Sequence, residues 1–72
     1  MHIQQILGAN VKRLRTSKGW SQEEFAFEAG IHRTYVSDIE RGARNPTIDV
    51  LERLARPLGV AAADLIRQSD PA

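Results

Sequence analysis

Residues 20–46 read WSQEEFAFEAGIHRTYVSDIERGARNP, and the punctuation of this stretch decides the fold. Ser21 followed three residues later by Glu24 is the signature of a capping box, in which a hydroxyl and a carboxylate each satisfy a backbone N–H at a helix start. Trp20, just before the cap, is placed to pack on Phe25 as a hydrophobic staple. The helix that begins there runs through Phe25, Ala26 and Ala29 and stops at Gly30, a residue free to take positive φ and turn the chain sharply. Ile31 then re-enters the core, and Val36 and Ile39 continue the apolar face of a next helix that ends at Arg41 and Gly42. Small Ala26 sits where these two short helices must cross closely.

Working outward, Ile3, Leu7, Val11 and Leu14 recur at helical spacing before the chain reaches Lys18 and Gly19, which predicts a first helix with a basic last turn. On the other side, Ala43 to Pro46 forms a loop and Thr47 caps a fourth helix whose buried side is expected to be Ile48, Leu51, Leu54, Ala55 and Leu58. Asp49 with Arg53 and Glu52 with Arg56 make i,i+4 pairs on its wet face. Pro57 conflicts with that helix, because it cannot donate to the carbonyl of Arg53 and crowds the turn, so a kink or an early stop is expected. Val60 to Arg67, with Leu65 and Ile66 as apolar anchors, predicts a short fifth helix, and residues 69–72 a flexible tail. The expected fold is an all-α, five-helix domain over residues 1–68.

A chain of 72 residues leaves room for one domain and no second catalytic or sensor domain. At 42% hydrophobic and 26% charged residues its composition is that of an ordinary globular protein. Without cysteine, no disulfide or thiolate–metal framework contributes, so helix packing must supply the stability. No apolar run approaches the ~20 residues of a membrane span, and the N-terminus lacks the order of a signal peptide; no membrane partner is expected, and the cytoplasm is the expected location. His2 and His32 are too far apart for a local metal motif, and adjacent Glu23 and Glu24 point in different directions at a helix start. Neither a cofactor nor a catalytic set of nucleophile, base and orienter is expected, which argues against an enzyme.

The net charge is only +1, but it is unevenly placed. Lys12, Arg13, Arg15 and Lys18 give residues 1–20 a charge of +4, while Glu23, Glu24 and Glu28 give residues 21–31 a charge of −3. Any anion-binding face is therefore local, with the basic N-terminal segment adding long-range attraction.

With its apolar side turned inward, the third helix leaves Arg33, Thr34, Ser37, Asp38 and Arg41 in one stripe, and every member can donate or accept a hydrogen bond. Two short helices at a glycine turn, the second with such a stripe, make the pattern of a helix-turn-helix. An α-helix fits the major groove of B-DNA, where each base pair shows its own donor and acceptor pattern and an arginine can fork onto guanine O6 and N7. Arg33, near the helix start, is the first candidate for that contact. Asp38 either accepts from cytosine N4 or orients Arg41 or Arg33. Tyr35 either offers its hydroxyl to a phosphate or closes the edge of the core.

Residues 20–60, WSQEEFAFEAGIHRTYVSDIERGARNPTIDVLERLARPLGV, resemble the phage-repressor-like helix-turn-helix family of the Cro/cI or Xre type. The S-Q-E-E-x-A segment, the A-G-hydrophobic turn, the I-E-x-G helix end and the N-P-T start carry the resemblance jointly. It implies a third helix in the major groove and the N-terminus of the second facing the DNA backbone. It further implies that Gln22 and the first amides of helix two hold one phosphate, that Arg44 and Asn45 hold another, and that Arg15 pairs with Glu40. Such a pair is either an exposed contact of little worth or a partly buried one that is costly to break. His32 stands where the family often has serine or threonine, so its imidazole either replaces the usual cap or touches a base or phosphate.

These residues point to a transcriptional regulator that binds double-stranded DNA in a sequence-specific way and blocks or recruits RNA polymerase. One recognition helix reads few base pairs, so a homodimer on a pseudo-palindromic operator is expected. Leu58, Val60, Leu65 and Ile66, beyond the motif, are the expected dimer surface. Small proteins of this resemblance include restriction-modification controllers. The rival reading is a protein-binding module such as the antitoxin partner of a toxin.

Overall fold

The starts of the second and fourth helices in this chain are set by local hydrogen-bond chemistry. In the computed structural model, which describes residues 2–68, Ser21 Oγ accepts from the Glu24 N–H at 3.0 Å and the Glu24 carboxylate accepts from the Ser21 N–H at 2.8 Å. Trp20 stacks on Phe25 with ring centroids 6.0 Å apart. Box and staple together fix the entry to the second helix. Thr47 Oγ1 likewise accepts from the Val50 N–H at 3.2 Å and caps the fourth.

The elements are α1 (Ile3–Ser17), α2 (Gln22–Ala29), α3 (Arg33–Glu40), α4 (Ile48–Leu58) and α5 (Ala62–Leu65), with no strand among the described residues. The tail expected over residues 69–72 lies outside the described residues. Phe25, Val36, Ile39, Val11, Leu54 and Leu65 are fully buried and bring all five helices onto one core. α3 packs against both α1 and α2, which fixes its inner side and leaves its outer side to solvent. Among the described residues, no helix is long and apolar enough to cross a membrane.

Three expectations need correction. Of the kink or early stop expected at Pro57, the early stop does not occur: α4 continues to Leu58 and is capped at Gly59, whose N–H donates to the Arg56 carbonyl at 3.1 Å. Proline is tolerated there because it removes a single backbone donor in the last turn instead of interrupting a run. Ile48, expected on the buried side, is 84% exposed: as the first residue of α4 it projects past the edge of the core. α5 is a single turn, Ala62–Leu65, closed at its start by the Asp64 carboxylate accepting from the Ala61 N–H at 3.0 Å.

Two long-range attachments hold the small domain together. Asn10, 2% exposed, donates through Nδ2 to the carbonyls of Leu65 at 2.9 Å and Arg67 at 2.8 Å, so α1 supplies acceptor-satisfying protons to the end of α5. A helix of one turn leaves nearly all of its carbonyls without internal partners, and a buried amide is the remedy. Gly8 is buried where α1 meets the last turn of α3, and a side chain there would collide with the carbonyls of Ile39 and Glu40.

Candidate nucleic-acid interface

The interface begins with Gly30, whose φ of 73° and ψ of 34° end α2 in the left-handed region favourable to glycine. The Ile31 N–H then donates back to the Ala26 carbonyl at 3.0 Å, and two residues later α3 starts in a new direction. Buried Val36 and Ile39 anchor its inner side. On the opposite side Arg33, Thr34 and Arg41 are exposed while Ser37 and Asp38 are half-buried, which is the stripe expected from the sequence.

Arg33, Thr34, Ser37, Asp38 and Arg41 share one shallow concavity with Gln22, the first residue of α2. The N-terminus of α2 therefore borders the stripe. Its free amides carry positive dipole character and suit an anion.

Behind the stripe lies the ion pair of Arg15 and Glu40. Arg15 Nε donates to Glu40 Oε2 at 2.6 Å and Nη2 donates to Oε1 at 3.0 Å, a bidentate grip, while Nη1 donates to the Trp20 carbonyl at 2.7 Å. The two side chains are 10% and 4% exposed, so of the two readings of this pair the buried one holds. The Glu40 hydrogen bonds and charge raise the Arg15 guanidinium above its ordinary range, against the opposing effect of burial. Gln22 Nε2 donates to the same Glu40 Oε1 at 3.0 Å. One carboxylate thereby ties α1, the approach to α2, and α3 together.

At the C-terminal end of the stripe, Asp38 accepts from two arginines. Oδ1 takes Arg41 Nη2, and Oδ2 takes Arg44 Nε at 3.3 Å. The Arg44 guanidinium also lies 4.4 Å from the centroid of the Tyr35 ring, within cation–π range. Tyr35 is half-buried and packs against the core while supporting Arg44, so its ring has both an inner and an outer contact.

His32 occupies the N-cap position of α3 in extended geometry and makes no side-chain cap, which removes one of its two expected roles; it is exposed. Asn45 is exposed in the α3–α4 loop but faces an apolar cleft lined with Ile3, Leu7, Pro46, Leu51 and Ile66. The expected dimer surface is also reduced. Leu58 and Leu65, at 4% and 0% exposure, are core residues and present nothing to a partner. Val60 is half-buried against the core, and Ile66 alone of the four is exposed.

Asn10 and Gly8 join the functional framework without a local sequence motif. Both fall among the residues that line the inner side of α1, where a polar or side-chain-free residue signals a partner or a close approach.

Two short helices set at a glycine turn, the second with an open polar edge, define a helix-turn-helix domain. The chain belongs to the Helix-turn-helix family, which residues 11–65 match. It is 47% identical over 66 residues to control protein C.BamHI of Bacillus amyloliquefaciens, covering 90% of this chain and 82% of that one. It is similar to the crystal structure of the hypothetical transcription factor NHTF from Neisseria, with a TM-score of 0.89 and 42% identity over 93% of this chain and 77% of that one. The structure of SinR, a master regulator for biofilm formation, in complex with DNA gives a TM-score of 0.81 and 37% identity over 85% of this chain and 98% of that one.

Proposed function

We propose that this protein is a sequence-specific DNA-binding transcriptional regulator that places α3 in the major groove. The observation that carries this reading is the open polar stripe of α3 beside the N-terminus of α2. Arg33, Thr34, Ser37 and Arg41 are assigned to base edges, with His32 at the rim. The first amides of α2 with Gln22, and Tyr35, Arg44 and Asn45 beyond α3, are assigned to phosphates. The likeness to C.BamHI and SinR supports this reading, and the likeness to C.BamHI favours a controller of a restriction-modification operon.

One such helix reads too few base pairs for useful specificity, so the regulator acts as a homodimer on a pseudo-palindromic operator. Ile66, with half-buried Val60, is the apolar surface assigned to that dimer. Bound in the cytoplasm at a promoter, it blocks or recruits RNA polymerase.

Selection of bound duplexes from a random DNA pool tests the proposal. The expected product is a consensus with two-fold symmetry and half-sites about one helical turn apart. Recovery of no sequence preference overturns the regulator reading, and an asymmetric single site overturns the dimer.

A further inference from the structure

We infer that Asp38 is a positioning residue that converts two mobile arginines into fixed contacts, raising discrimination between DNA sequences while lowering affinity for DNA in general. The inference rests on the DNA-binding reading above. It concerns an acid placed where an acid is least expected, on a helix face assigned to a polyanion.

Its geometry accounts for the placement. The Asp38 side chain is 20% exposed, and its two oxygens serve different partners, Oδ1 receiving Arg41 and Oδ2 receiving Arg44. Arg44 is held in two directions, its Nε edge by Asp38 at 3.3 Å and its face by the Tyr35 ring at 4.4 Å. Its two Nη groups make no hydrogen bond to another described residue, and they form the planar fork that matches a phosphate. Arg41 gives one Nη2 proton to Asp38 and keeps its other donors. Arg33 makes no ion pair with another described residue, so the carboxylate restrains the two arginines at the C-terminal end of the stripe and leaves the N-terminal one unrestrained.

A freed arginine at the C-terminal end of the stripe reaches any phosphate nearby, and a phosphate contact carries no sequence information. Arginines fixed on a carboxylate meet the duplex only where the register is right. Removing the carboxylate therefore frees a cation for indiscriminate contact, and one added phosphate contact steepens the salt dependence of log K by about 0.9. Between 1 M and 0.1 M monovalent salt that slope amounts to about an eightfold gain on random duplex.

The test compares the 72-residue chain with its Asp38→Asn variant on a selected site and on a random duplex of equal length, across a salt series. Glu52→Gln, which removes an equal charge from the exposed Glu52–Arg56 pair on α4, controls for net charge. Asp38→Ala stands in if the asparagine variant does not fold by circular dichroism. The expected result is a several-fold fall in the ratio of selected to random affinity, with a steeper salt slope on random duplex, in the Asp38 variant and not in the control. Any other pattern overturns the inference, including an unchanged ratio, equal weakening on both duplexes, or the same change in the control. Absence of any preference by the wild-type protein instead overturns the regulator reading.

Discussion

Gly8 of α1 and Ile39 of α3 meet backbone to backbone: a Cβ added at Gly8 would stand 2.5 Å from the Ile39 carbonyl oxygen and 2.8 Å from that of Glu40. Neither obstacle is a flexible side chain. Gly8→Ala therefore pushes the last turn of α3 away from α1, and overpacking of this kind costs about 1–3 kcal/mol. The intrinsic helix preference of alanine offsets about 1 kcal/mol at most. Thermal melting should fall by several degrees, and a melt at or above the wild-type value would contradict the close approach.

Breaking the Arg15–Glu40 pair should be the most damaging single polar change. Glu40→Ala strands a guanidinium that is 10% exposed and also removes the acceptor used by Gln22. One-sided removal of a buried pair costs about 3–5 kcal/mol. Urea unfolding should show that loss. Arg15→Lys should be intermediate, since a lysine keeps the charge but loses the bidentate fork.

Asn10→Ala should act locally. It removes the donor to the Leu65 and Arg67 carbonyls, and an unsatisfied buried acceptor costs about 1–3 kcal/mol. Hydrogen exchange should accelerate at the α5 amides more than at those of α3. Uniform acceleration across the chain would show that Asn10 supports the whole core instead.

Arg33→Ala and Arg44→Ala should separate base reading from phosphate holding. The first should relax sequence preference by about 1–3 kcal/mol at one base pair with little change in salt slope. The second should weaken binding on every sequence and reduce the slope by about one. Indistinguishable behaviour of the two variants would remove the division of labour.

Much of this architecture is legible along the chain because it is written in short spacings. The Ser21–Glu24 box, the Trp20–Phe25 staple, Gly30 and the Thr47 cap all involve partners within five residues, and each takes the role its spacing implies. The stripe of α3 follows from the same helical period. Attachments that span the chain leave no such trace. Asn10 bonds to residues more than fifty positions away, and Gly8 is explained only by the helix that crosses it.

Apolar residues outside the motif are the harder case. Leu58 and Leu65 read equally well as surface or core, because periodicity records that a side must be covered and not what covers it. Here α4 and α5 cover each other, and α1 closes over α5. Asp38 is similar: the sequence leaves it between base contact and orienter, and only the positions of Arg41 and Arg44 show which partners it takes.

The fastening of α3 bears on how such a protein changes over time. Its hold on the domain runs through Val36, Ile39, Glu40 and the backbone beside Gly8. Arg33, Thr34 and Ser37 take no part in that hold. On the DNA-binding reading proposed above, exchange of these three side chains would retarget a lineage to a new operator while the framework that presents them stays intact.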